Sequence, residues 1–284
     1  MVHDIQTQPV NTDAAWGSFA PKGMDRLLLD MTRNLPYNWL GKRVFYALRR
    51  LGRMHLAGKP VDVTRLGAQL RLMAERNVCE GRILFNPDYF DARERRFLSE
   101  HLPESPIFID AGANIGGYGF YVCHVRPRAQ VISIEAQENT FKKLVFNVQQ
   151  NPHMNITPIN CALADTNGTV RLFINDVNSG ATSIRVRNAS HTAVDIKGVT
   201  LLKLAQDFNL TRIDAIKLDI EGVEDIVLKS FFETAPSHLF PRLILIEHSI
   251  KRWTFDVVDF LKRFRYLPIR DFGGNVVLQR EPGA

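Results

Sequence analysis

From residue 106 onward, short apolar runs alternate with amphipathic helical stretches, and few folds accommodate that rhythm. Pro106 to Asp110 reads as a strand, followed by a glycine-rich turn and a helix from about Tyr118. Val131 to Glu135, Ile156 to Asn160, Ala215 to Asp219 and Leu243 to Glu247 are further apolar runs of strand length. Glu138 to Gln150, Leu201 to Phe208, Val223 to Phe232 and Phe255 to Phe264 are the helices between and after them. Thr169 to Ile174 is strand-like, and Tyr266 to Asp271 with Val276 to Gln279 closes the chain as a hairpin. Strands alternating with helices of this length specify a doubly wound, mostly parallel sheet, here of seven strands. The hairpin implies an antiparallel edge strand.

The preceding residues have a different texture. Residues 24 to 56 read as two helices divided at Leu35-Pro36. In the second, Leu40, Val44, Leu48 and Leu51 form an apolar stripe widened by Phe45, with basic residues opposite. Between residues 22 and 59 nine basic side chains face only Asp25 and Asp30, so the formal charge of +6 resides in this extension. Such a cationic face suits an anionic surface, nucleic acid or an acidic substrate. Residues 61 to 73 suggest a strand pair turning near Gly67, and Asn86-Pro87 opens a helix whose apolar face is Tyr89, Phe90, Phe97 and Leu98. The organisation expected is a basic helical extension over 1–60, a strand pair and helix over 61–105, and an α/β domain over 106–284.

Composition narrows the class. With 45% hydrophobic and 23% charged residues the chain has material for a full core. Three widely spaced cysteines, Cys79, Cys123 and Cys161, form neither a disulfide framework nor a zinc pattern, which suggests a cytoplasmic protein. The N-terminus lacks the basic start and apolar run of a signal peptide, and no apolar run is long enough to span a bilayer.

Candidate chemistry lies at the carboxyl ends of the strands, where folds of this type hold their ligands. The first turn reads Asp110-Ala-Gly112-Ala-Asn114-Ile-Gly116. Its glycines permit a tight backbone and a close ligand. A dinucleotide site would want glycine where Asn114 stands, so a pyrophosphate cradle is disfavoured. Glu135, at the tip of the second strand, is placed to accept hydrogen bonds from ribose hydroxyls. Ala162 and Leu163 can floor an adenine pocket. Asp219, Glu221, Glu247 and His248 converge at the fourth and fifth tips, a concentration of charge that core packing does not explain.

Taken together, these residues resemble the FkbM-type methyltransferases, a branch of the class I S-adenosylmethionine-dependent enzymes with a Rossmann-like fold. The resemblance rests on the 110–116 turn, on Glu135 with Asn139, on Lys217-Leu-Asp-Ile-Glu-Gly222, and on Glu80 to Leu98 with Leu84-Phe-Asn-Pro87 and Glu94. Alanine follows Glu135 where the family usually has proline. The resemblance implies S-adenosyl-L-methionine as cofactor, with Asp110, Gly112, Asn114, Gly116, Glu135 and Asn139 around it and Ala162 and Leu163 near the adenine. Asp219 would lie between the methionine moiety and the acceptor. The implied reaction is O-methylation of a hydroxyl on a sugar, glycan or natural-product acceptor.

An alcohol must lose its proton during attack, and Asp219, Glu221 and His248 are candidate bases, with Asp219 and His248 favoured. A divalent ion bridging Asp219, Glu221 and Glu247 is an alternative. Three other readings compete: a nicotinamide-dependent dehydrogenase, a nucleic-acid methyltransferase using the basic extension, and an inactive cofactor-binding module.

Overall fold

The computed structural model describes residues 12–33, 35–36, 38–56, 58–74, 77–174, 184, 192–247 and 252–281. Two helices, α1 (Gly23–Arg33) and α2 (Trp39–Leu56), lead into an antiparallel pair, β1 (Pro60–Arg65) and β2 (Ala68–Met73). Helix α3 (Val78–Phe85), a single 3-10 turn (Pro87–Tyr89) and α4 (Ala92–His101) follow. The α/β part then runs β3 (Ile107–Ala111), α5 (Gly117–Val125), β4 (Gln130–Ile134), α6 (Glu138–Gln149) and β5 (Ile156–Ile159). A small sheet of β6 (Ala162–Leu163), β7 (Gly168–Ile174) and β8 (Thr192–Val199) precedes α7 (Leu201–Asp207). The chain ends with β9 (Ala215–Leu218), α8 (Glu224–Thr234), β10 (Leu243–Glu247), α9 (Val257–Lys262), β11 (Tyr266–Asp271) and β12 (Asn275–Arg280).

Among the described residues the main sheet has seven strands in the order β11-β12-β10-β9-β3-β4-β5. Strands β10, β9, β3, β4 and β5 are mutually parallel, as the alternation of apolar runs and helices requires. The expected antiparallel edge is corrected in one respect. β12 is the antiparallel strand, and it inserts between β10 and β11, leaving β11 at the edge. Its residues Val276 to Leu278 are buried, so apolar burial on both sides draws it inward.

Period-two alternation divides the core. Phe108, Val131, Ala215 and Leu245 face one layer, while Ile109, Ala111, Ile132, Ile216 and Ile244 face the other. Leu29, Phe45, Leu56 and the β1–β2 apolar residues join the first layer, so the N-terminal helices share a core with the sheet. A buried ion pair holds the segment before α1 to the β1–β2 hairpin. Arg71 Nε donates to Asp62 Oδ1 at 2.7 Å, and both side chains are fully shielded. Arg71 also donates to the carbonyls of Ala14 and Ala15, while Asp62 accepts the amides of Gly17 and Phe19, pinning 14–19 to the hairpin.

Two sequence expectations change in this region. The helix expected from Asn86-Pro87 is a 3-10 turn followed by α4, because Asn86 caps the turn through the Asp88 amide and Asp91 adopts a left-handed conformation before α4. In α2 the packed side is Gly41, Phe45, Gly52 and Leu56, whereas Leu40, Val44 and Leu51 are exposed. The glycines allow α2 to approach closely: a Cβ on Gly52 would strike the Phe85 ring.

Candidate functional site

Strands β4 and β5 continue to one side of β3, whereas β9 and β10 lie on its other side, so the order reverses between β3 and β9. A crevice opens outside the carboxyl ends of strands at such a switch point. Here it is a cleft of about 410 Å³. Gly112 and Asp219 meet at its base. Gly112 has φ +76°, and a Cβ there would collide with the carbonyl oxygen of Asp219, so glycine alone suits the turn. The Gly112 and Ala113 amides both donate to Ile134 O, anchoring the loop to the next strand tip.

At one end the cleft is lined by Glu135, Ala162 and Leu163. Glu135 Oε2 accepts the Asn114 amide at 2.9 Å, and Oε1 accepts the Gln137 amide at 2.9 Å. Burial raises its carboxyl to about 7, against the opposing pull of those amides. Asn114 has φ +54°, and its side-chain oxygen accepts from Asn77 Nδ2 at 2.7 Å. The position where a dinucleotide site wants glycine is thus filled by an asparagine fastened to the segment before α3. Gly116 caps α5 and lies against Phe120 and Leu144, where it serves packing. Asn139 is the second residue of α6 and half-buried.

The other end is charged. Asp219, Glu221, Glu247, Lys217, Asp91 and Tyr118 line it. Lys217 pairs in register with Asp110 across β9 and β3, and its Nζ donates to Asp219 Oδ2 at 3.1 Å. The ammonium also lies 4.8 Å from the centre of the Tyr118 ring. Burial opposes the charge on Lys217, but Asp219 and Asp110 outweigh it and hold its pKa above the ordinary lysine value. Asp110 sits beneath the loop, where its Oδ2 accepts the Gly119 amide at 3.2 Å. Burial lifts it to about 6, with Lys217 acting against the rise.

Arg252 reorganises the remaining acids. Its Nη1 lies 2.8 Å from Glu221 Oε2 and 3.5 Å from Glu247 Oε2. A cation of the protein therefore stands where the sequence allowed a divalent ion, and no metal-holding group of three His, Cys, Asp or Glu occurs among the described residues. Glu221 has φ +63°, a conformation stabilised locally because buried Glu224 accepts the Ile220 and Gly222 amides, each at 3.1 Å. His248 lies outside the described residues.

Another wall comes from the segment that carried the resemblance through Glu80 to Leu98, whose residues the sequence did not place at the cleft. Val78, Cys79, Arg82, Ile83 and Phe90 cover the cleft, and Asn275 borders it. Asp91 accepts from Tyr118 OH at 3.1 Å. Three non-glycine residues with left-handed backbone, Asp91, Asn114 and Glu221, line this one cleft. Such strain collects at functional sites.

The crevice at the switch point thus has a buried strand-tip acid, Glu135, on one side and a cluster of charged side chains on the other. Residues 110–273, more than half of the chain, match the FkbM methyltransferase domain, and the chain belongs to that family, whose cofactor is S-adenosylmethionine. The methyltransferase sdnD of Sordaria araneosa is 26% identical over 163 residues, 47% of this chain and 63% of that relative. The chain thus spans less than two thirds of that relative's length. Among solved structures, precorrin-6y C5,15-methyltransferase from Geobacter metallireducens aligns with a TM-score of 0.40 and 9% identity, covering 66% of this chain and 89% of the other. TYW2 of M. jannaschii, in complex with AdoMet, aligns with a TM-score of 0.39 and 12% identity, covering 78% and 87%.

The residues present fit the cofactor. Glu135 offers each oxygen with spare acceptor capacity, Ala162 and Leu163 give an apolar floor, and Asp219 gives a carboxylate suited to a sulfonium. Asp110 supports the loop from below.

Proposed function

We propose that this protein transfers a methyl group from S-adenosylmethionine to a hydroxyl oxygen of a small-molecule or glycan acceptor. The observation that carries the reading is the polarity of the cleft. One end joins an acid at a strand tip to an apolar floor, and the other presents Asp219 beside a buried, protonated Lys217.

In this reading Glu135 holds the ribose and Ala162 with Leu163 hold the adenine. The bound cofactor supplies a methyl carbon already activated by sulfonium. The protein's work is to align the acceptor, exclude water and take one proton. Asp219 is the favoured base, with a side chain 39% exposed toward the cleft and only one oxygen bound to Lys217. Asp219 would take the hydroxyl proton as the acceptor oxygen accepts the methyl group, with the uncharged thioether as leaving group. Glu221 and Glu247, both drawn toward Arg252, shape the rim.

The test is transfer of labelled methyl groups to a panel of sugars and hydroxylated natural products, with and without a chelator. Asp219→Asn should lower turnover about 10²- to 10⁴-fold, the range for loss of a positioned base. S-adenosylhomocysteine affinity should change far less. Parent-like turnover by Asp219→Asn would remove the base assignment, and activity lost on chelation alone would move the role to a metal. Tight NAD binding without any response to S-adenosylmethionine would overturn the whole reading.

A further inference from the structure

Helices α1 and α2 each bury one side, through Leu29 and Thr32 on the first and Gly41, Phe45, Gly52 and Leu56 on the second. Their other sides carry large apolar residues in the open. On α1 these are Met24, Leu27 and Met31, and on α2 Leu40, Val44, Leu51 and Met54. The spacings of three, four and seven keep each set on one side of its helix. Leu40 is 62% exposed and Met54 70% exposed. Scattered exposed apolar residues are ordinary, but two packed helices each bearing such a row are not. A helix of a water-surrounded domain would have polar residues there.

The surrounding charge identifies the occupant. Arg43, Arg50 and Arg53 on α2, and Lys22, Arg26 and Arg33 beside or on α1, are exposed. The region has only two acids against these cations, Asp30, 3.6 Å from Arg26, and the partly buried Asp25, 3.3 Å from His55. At the start of α2, Trp39 is 68% exposed with the Arg43 guanidinium 4.2 Å from its ring centre. Amphipathic indole rings favour the boundary between water and lipid headgroups. We infer that the α1–α2 pair seats this protein on an anionic lipid surface, its apolar rows in the interface plane and its arginines among the headgroups.

No described helix is long and apolar enough to cross a membrane, so the pair lies on the surface rather than spanning it. A second copy of the chain is a poor occupant, because it would bring the same cations to the same face. The seat adjoins the cleft. Gly52 of α2 rests on Phe85, the Phe45 and Tyr89 rings stack at 3.9 Å, and Thr32 Oγ1 donates to Phe85 O at 2.9 Å. Helix α3, which carries Phe85, also walls the cleft through Val78, Cys79, Arg82 and Ile83.

Full-length protein should sediment with vesicles of phosphatidylcholine mixed with phosphatidylserine and much less with phosphatidylcholine alone. Binding should weaken as salt rises, since surface charge is screened. Trp39 emission should shift to the blue on the anionic vesicles, and Trp39→Phe should remove that shift. Each arginine near such a surface contributes roughly fivefold in partitioning, so Arg43→Gln, Arg50→Gln and Arg53→Gln together should weaken binding about a hundredfold. Leu51→Glu with Met54→Glu should weaken it at least about tenfold. All three residues of the first set and both of the second are exposed, and S-adenosylhomocysteine affinity equal to the parent's will show that the variants are folded. The inference is overturned if the parent ignores anionic vesicles, or if both sets of variants bind like the parent. It is also overturned if the face instead forms a dimer that Leu51→Glu dissociates without lipid.

Discussion

In the proposed reading, Glu135 makes cofactor affinity depend on pH in a direction opposite to the stability of the free protein. Its two oxygens already accept the amides of Asn114 and Gln137, and ribose hydroxyls must use the remaining acceptor capacity of an ionised carboxylate. Burial raises the carboxyl to about 7. Below that value the free protein holds Glu135 protonated, and binding must first expel the proton. Each pH unit then costs a factor of ten, or about 1.36 kcal/mol. Between pH of about 8 and about 5 the affinity for S-adenosylhomocysteine should fall roughly a hundredfold, about 2.7 kcal/mol. That loss is smaller than the combined worth of two charge-assisted hydrogen bonds, about 3 to 6 kcal/mol, so the protonated form does not set a floor within this range. Stability runs the other way. A folded-state pKa raised above the unfolded value gives stability that is fully present below the unfolded pKa, near 4.5, and lost as pH rises through about 7. Calorimetric titrations across the range, in buffers of different ionisation enthalpy, should show a proton released on binding near pH of about 6. Glu135→Gln should bind weakly at every pH and lose the slope. Asp110 also titrates high, at about 6, but it lies beneath the loop, so its contribution should persist in the variant as a change in stability alone. A flat affinity profile for the parent, or an unchanged slope in Glu135→Gln, would refute the reasoning.

Two further perturbations probe the scaffold. Gly112→Ala should destabilise the protein by about 3 kcal/mol or more and abolish cofactor binding, because its Cβ would meet the Asp219 carbonyl in a backbone conformation that disfavours side chains; thermal unfolding and calorimetry measure both. Arg71→Met should cost about 3 to 5 kcal/mol by leaving Asp62 buried without its partner, whereas replacing both residues by apolar ones should recover much of the loss in denaturant unfolding.

How far the sequence revealed this site follows from what each part must bury. β3, β4, β9 and β10 are covered on both faces, so they appear as apolar runs, and the turn after β3 declares itself by its glycines. Glu135 and Asp219 then follow from their places at strand tips. Helix α3 gave no such signal, being eight residues long with Glu80, Gly81 and Arg82 interrupting its apolar period. The segment entered only through the resemblance of Glu80 to Leu98, and its role as a cleft wall, with Asp91 beyond it, follows from the fold. β8 escaped for the opposite reason: its alternation of Val194, Asp195, Ile196 and Lys197 belongs to a small sheet with exposed positions. Arg252 stands in a short polar stretch without periodicity, 31 positions from Glu221, and nothing local marks the ion pair they form.

The outward row of α2 shows why apolar periodicity identifies a helix without identifying its buried face. Leu40, Val44 and Leu51 make a better stripe on paper than Gly41, Phe45, Gly52 and Leu56, because two glycines register as gaps. In the fold Gly52 lets the helix meet Phe85, Gly41 leaves room for the Pro36 carbonyl, and Phe45 stacks on Tyr89. Close packing selects the side with room for a neighbour's ring, and the larger apolar row is left outside. A row left outside costs nothing only if something other than water covers it. The exposed arginines beside it, which outnumber the two local acids, favour a negatively charged covering over an apolar protein surface. On the inference drawn above, the extension does two jobs with two faces: the small-residue face holds the wall of the cleft, and the apolar, basic face seats the protein on a lipid surface.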